Sequence, residues 1–213
     1  MLRRLPHTVV FLTALSPFLW LLFRTFTGRL SANPIEDLTL TTGIWALRFL
    51  LITLAITPLR RVTGWNRLIQ YRRMLGLFAF FYATLHLAIY VVDVVAVEGT
   101  VTFAPVLKDI VKRPFITMGM TAFALMVPLA ITSTKGWIRR LGRRWQALHR
   151  IIYISALAAV VHFIWKVKVV VGEPVYYAVI LAVLLGFRVL WWLKASGRLS
   201  LATQSSPGTS PHP

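Results

Sequence analysis

The chain has 213 residues, 57% of them apolar, and a formal net charge of +18. One soluble core cannot hide several unbroken apolar runs of about 20 residues, the length an α-helix needs to cross a bilayer, so a water-soluble domain is excluded. The sequence holds no cysteine, which rules out disulfides, cysteine-ligated iron–sulfur clusters and covalently attached c-type haem.

Six apolar runs predict an all-α membrane bundle. The first, 8–26, follows a short basic N-terminus like that of a signal peptide, but no small-residue cleavage pattern follows it and it reads as a helix. The second, 41–59, ends near Pro58, and the third, 75–95, starts after a basic cluster. The fourth, 114–133, opens with Pro114, tolerated at a first helical position where its missing N–H costs nothing. The fifth is 146–167, and the sixth, 174–193, carries Trp191 and Trp192 as an interfacial anchor. Together they predict a domain over 1–198, followed by a polar, Ser- and Pro-rich tail over 199–213 that reads as disordered. No internal repeat is legible.

Charge sets the expected orientation. Arg60, Arg61, Arg67, Arg72 and Arg73 join spans two and three; Lys135, Arg139, Arg140, Arg143 and Arg144 join spans four and five. Arg3 and Arg4 precede the first span, and Lys194 and Arg198 follow the last. None of these four segments holds an acidic residue, whereas the other three connections carry Glu36, Asp37, Glu98, Asp109 and Glu173. The positive-inside rule then places both termini in the cytoplasm. It also accounts for the basic surplus without nucleic acid as a partner, leaving membrane lipid as the surroundings.

His7 and His212 lie at the chain ends and read as incidental. His86, His149 and His162 fall inside or at the edge of spans, where ionisable residues are rare and usually functional. Counted from the cytoplasmic helix ends, His86 lies about 17 Å deep, His162 about 24 Å and His149 about 5 Å. His86 and His162 can therefore face each other across the bundle, a geometry for bis-histidine ligation of haem iron. One buried histidine often does no more than bond to a neighbouring helix. Two at compatible depth favour a cofactor. Hard-cation transport and proton relay would call for acidic residues in the membrane interior. His149 and His162 stand well off one helical face, so either the helix is distorted or the two serve different sites. Arg48, about 16 Å deep, is a candidate partner for a haem propionate, against snorkelling or pairing with Asp93.

The segments RRMLGLFAFFYATLHL (72–87), KRPFITMGMTAFALMVPLAITSTK (112–135) and RRLGRRWQALHRIIYISALAAVVHFIWKVK (139–168) resemble a known family. They are similar to the haem-binding membrane subunits of bacterial periplasmic methionine sulfoxide reductase systems, called MsrQ or YedZ, within the ferric-reductase-like transmembrane superfamily. The resemblance implies a six-helix, quinol-linked electron conduit in the bacterial inner membrane. It would bind haem b and flavin mononucleotide, FMN, and serve a periplasmic molybdopterin partner, MsrP, that repairs oxidised envelope proteins. It matches the motif histidines to His86, His149 and His162, with His86 and His162 as axial ligands. The superfamily usually carries two histidines on the third span. Arg72 and Arg73 stand in the lower position here, which argues against a second bis-histidine haem and leaves His149 to border flavin or quinone. Arg72, Arg73 and Arg144 are candidates for a flavin phosphate or a haem propionate, against a purely topological role as positive-inside charge.

No dinucleotide-binding glycine pattern is present. The expected donor is thus a membrane quinol or a separate cytoplasmic flavin reductase. The outer connection 97–115 reads as the docking surface for the periplasmic partner, through Lys108, Lys112 and Arg113. The competing readings are a stand-alone ferric or cupric reductase and a non-redox small membrane protein.

Overall fold

The computed structural model describes residues 6–99, 102–167 and 172–204. In chain order its helices are α1 (His7–Phe26), α2 (Pro34–Thr63), α3 (Arg72–Glu98), α4 (Ala104–Lys112), α5 (Pro114–Ile131), α6 (Lys135–Leu141), α7 (Arg143–Leu148), α8 (Ile152–Val167) and α9 (Glu173–Gln204). Short 3-10 turns, Asn66–Tyr71 and His149–Ile151, lead into α3 and α8. Six stretches are long and apolar enough to cross a bilayer: α1, α2, Asn66–Val97, α5, Arg143–Val167 and Glu173–Ser196. The chain is an all-α, multi-pass membrane protein.

The boundaries move where local chemistry outweighs hydropathy. α2 begins seven residues before the expected start, because the Asn33 side chain accepts the Glu36 N–H and Pro34 takes the first position. It also runs past Pro58, which is buried within it, and stops at Gly64 with φ +71°. α4 and α6 occupy connections that read as loops, both too short to span. The fifth run is not one helix: α7 and α8 are joined by the His149–Ile151 turn. α9 runs beyond the expected end at 193 to Gln204, taking up the first residues of the tail. Arg3, Arg4, His212 and residues 205–213 lie outside the described residues.

Two helix pairs build the bundle, α2 with α3 and α5 with α8. α2 is the most enclosed span, with 44% of its central window buried, against 6% for the peripheral α9. Leu54, Ala79, Tyr82, Ser155 and Ala156 are at most 1% exposed. Small residues let helices approach closely in lipid, and one interhelical bond adds to this: the Ser155 hydroxyl donates to Ala122 O at 2.9 Å, tying α8 to α5.

Tyr82 does the same for α1. Its hydroxyl donates to Ala14 O at 2.9 Å and accepts the Phe18 N–H at 3.0 Å. Ala14 and Phe18 are an i, i+4 pair beside Pro17, so the phenol sits inside the α1 backbone ladder at the proline. The outward faces carry exposed apolar side chains such as Phe26, Val62 and Trp192, suited to lipid contact.

Candidate functional site

The α2–α3 and α5–α8 pairs each present one histidine to the space between them. His86 is on α3 and its Nδ1 lies 2.8 Å from Thr39 O on α2. His162 is on α8 and its Nδ1 bonds to Phe115 O on α5. A carbonyl can only accept, so both Nδ1 atoms carry the proton and each Nε2 keeps a free lone pair. Fixing one nitrogen this way orients the ring and leaves the other available to a metal.

The two rings lie 6.1 Å apart, centroid to centroid, with 80° between their planes. They share a cavity of about 410 Å³ walled by Leu, Ile, Ala, Met and Phe side chains of α2, α3, α5 and α8. Its polar lining, apart from the histidines and Thr39, is Asn33, Glu36, Tyr90, Asp93, Arg113 and Lys166. The Tyr90 hydroxyl donates to Asp109 Oδ2 at 3.1 Å, and Arg113 Nε pairs with Asp109 Oδ1 at 3.3 Å. The Lys166 ammonium lies 5.9 Å from the centre of the Phe115 ring. Arg113 and Lys166 are therefore the cations of this cavity, and sequence reasoning missed both in that role. The signal available was their position at the adjoining ends of the two helices that pack around His162.

Arg48 is elsewhere. Its Nε donates to Tyr177 OH at 2.8 Å and its guanidinium stacks over Trp45 at 4.9 Å. It does not line the cavity. Away from the expected propionate position, the half-buried guanidinium links α2 to α9 through a tyrosine hydroxyl and an indole face.

His149 stands apart too. Its Nδ1 bonds to Trp145 O at 3.1 Å and its ring stacks on Trp145 at 3.9 Å. Thirteen residues, about 20 Å of helix rise, separate it from His162. The helix is interrupted at His149 by the His149–Ile151 turn, and His149 does not line the cavity that His86 and His162 share. His149 Nε2 is buried and makes no full hydrogen bond, although the ring also lies within reach of the Leu129 carbonyl on α5. Arg72 is half-buried within electrostatic reach of it, while Arg73 and Arg144 are exposed.

Arg188 on α9 escaped the sequence reading, although a charge inside an apolar run was the same signal that drew attention to Arg48. Its Nη2 donates to Leu54 O at 2.7 Å, its Nε to Tyr153 OH at 3.3 Å, and its Nη1 is buried without a partner. Lys108 and Lys112 are exposed on α4, beside the exposed apolar residues Phe103, Leu107 and Val111. Among the described residues no three His, Cys, Asp or Glu side chains converge, so the histidine pair is not part of a closed cation cage.

The chain is similar to known membrane proteins. The family model "Ferric reductase like transmembrane component" matches residues 42–160. A protein of Xanthomonas oryzae pv. oryzae is 50% identical over 206 residues, 94% of this chain and 92% of its own length. It is named "Protein-methionine-sulfoxide reductase heme-binding subunit MsrQ". A protein of the same name from Herminiimonas arsenicoxydans is 49% identical over 205 residues, again 94% of this chain and 92% of the relative. The chain belongs to the MsrQ family. The matched region of the transmembrane model holds His86 and His149, and the alignment to the MsrQ relatives covers nearly the whole chain.

Proposed function

We propose that the chain is a membrane electron-transfer subunit that holds haem b between His86 and His162 and serves a methionine sulfoxide reductase system. The observation that carries this reading is the ring separation. His86 and His162 would hold the iron together, each through its free Nε2. The ring centroids stand 6.1 Å apart across a mostly apolar cavity, close enough for both to serve one iron. Both rings are locked by Nδ1 bonds, and the acceptor carbonyls raise the basicity of Nε2. Arg113 and Lys166 would meet the propionates by charge-assisted hydrogen bonds. Haem held by two histidines supplies single-electron carriage with no open iron position for oxygen chemistry.

The haem-binding subunit name of the relatives supports the same assignment and supplies its setting. Electrons would come from membrane quinol or a cytoplasmic flavin reductase and leave to a periplasmic molybdopterin subunit of the MsrP kind, which repairs oxidised envelope proteins. The bacterial inner membrane, with both termini cytoplasmic, fits the distribution of arginines and lysines over the connections. On that orientation α4 faces the periplasm, and Lys108 and Lys112 offer charge to the partner. Flavin mononucleotide would belong at the opposite end, beside His149 and Arg72. Arg73 and Arg144 are exposed, as Arg113 and Lys166 are at the haem end, so the stronger case for haem rests on the paired imidazoles.

The test is to reduce the purified protein and mix it with the periplasmic partner or with chelated ferric iron. Reoxidation of the haem bands by the partner, and not by the chelate, is expected. Reoxidation by the chelate alone would favour a stand-alone ferric reductase, the activity in the family model's name.

A further inference from the structure

The ligand histidines of both halves rest on the same device. In each, the carbonyl that fixes Nδ1 lies 47 residues before the histidine. One helical turn beyond the acceptor residue stands a glycine: Gly43 after Thr39 on α2, and Gly119 after Phe115 on α5. Residues at i and i+4 share a helix face, so acceptor and glycine lie under the same imidazole. A sequence without a legible repeat thus encodes one cradle twice.

The space at each glycine is taken by the ring. A Cβ at Gly43 would stand 2.9 Å from His86 Nδ1 and 3.0 Å from its Cε1. At Gly119 the distances to His162 Nδ1 and Cε1 would be 2.7 and 2.9 Å. Unbonded carbon atoms settle at about 3.5–4.0 Å, so a methyl group at either position displaces the ring. Neither glycine has a positive φ, so backbone freedom does not explain them, and glycine weakens a helix interior relative to alanine. Other helical glycines are unlike these two: a Cβ at Gly76 would meet only Thr53 Cγ2 at an ordinary 3.6 Å, and at Gly186 nothing within 4 Å.

We infer that Gly43 and Gly119 are positioning residues for the two imidazoles, each leaving a helix face bare so that a ring can lie against it, bond through Nδ1 and aim Nε2 into the cavity. This rests on the haem reading for its purpose, though not for its geometry. A displaced ring loses its carbonyl bond or tilts Nε2 off axis, which changes the ligand field of the iron.

The experiment is a double-mutant cycle on the full chain in detergent, made with and without haem supply. In apo-protein, Gly43→Ala is expected to lower Tm by at least about 3 °C when His86 is present. In the His86→Ala background, where the ring is gone, the same change should leave Tm unchanged or raise it. Gly119→Ala should behave alike against His162→Ala. In holo-protein each glycine variant should lose at least about tenfold in haem retention or show shifted low-spin EPR g values. Gly76→Ala and Gly186→Ala should change neither. Equal Tm effects with and without the histidine, or unaltered EPR and haem content in both glycine variants, would overturn the inference. A colourless wild type with the apo cycle intact would sink the haem reading and leave the glycine assignment standing.

Discussion

His86 and His162 differ from His149 in what holds them, and the difference separates a ligand pair from a lone ring. The first two bond through Nδ1 to a carbonyl on a facing helix, which fixes each ring by tertiary structure and turns Nε2 into a shared cavity. His149 bonds to the carbonyl four residues before it and stacks on Trp145 from the same turn. Its Nδ1 bond and its stacking partner are local, although the Leu129 carbonyl on α5 also lies within reach of the ring. The surroundings differ as well: apolar walls with Arg113 and Lys166 in one region, and Arg72 within electrostatic reach of the ring in the other. Three histidines in one class of sequence environment thus have two kinds of structural setting, and only the pair has a second imidazole at coordinating distance.

The largest break in that comparison comes from the histidines themselves. His86→Ala or His162→Ala should cut haem retention by roughly 100-fold or more, since removing an orienting partner of a ligand already costs 10–100-fold. His149→Ala should keep the low-spin signal of the pair, as read in the absorbance of purified protein. Equal loss from all three would merge the two regions into one site.

A smaller effect is expected at Tyr82, which sharpens the role of the scaffold. Tyr82→Phe removes the hydroxyl that bridges Ala14 O and the Phe18 N–H, and should cost about 1 kcal/mol, because that backbone pair can partly re-form its own bond. Thermal unfolding in detergent checks this. An unchanged Tm would show that α1 needs no tether at Pro17.

Smaller still for the holoprotein is the docking change. Arg113 lines the cavity, so the docking surface is best probed at Lys108 and Lys112. Lys108→Glu with Lys112→Glu should slow electron delivery to the periplasmic partner severalfold, most at low salt, without altering the haem spectrum. Stopped-flow reoxidation reads the rate, and transfer at the wild-type rate would reject the surface.

Much of the molecule was legible because lipid imposes simple rules. Span length and apolar composition placed all six crossings, and rise per residue put His86 and His162 at depths that let them meet. Three things were hidden for identifiable reasons. The Asn33 cap and Gly64 stop of α2 act through single residues that a hydropathy window averages away. Arg48 has a depth that suits a propionate, yet depth says nothing about helix azimuth, and azimuth hands it to Tyr177 and Trp45. Gly43 and Gly119 look like ordinary small residues of membrane helices, and only the rings packed on them distinguish them from Gly76 or Gly186.

The most direct measurement is the EPR spectrum of the oxidised, haem-loaded wild-type protein. Iron held by both His86 and His162 predicts a low-spin ferric signal. A high-spin ferric signal, or no haem signal from protein made with ample haem supply, would contradict ligation by His86 and His162.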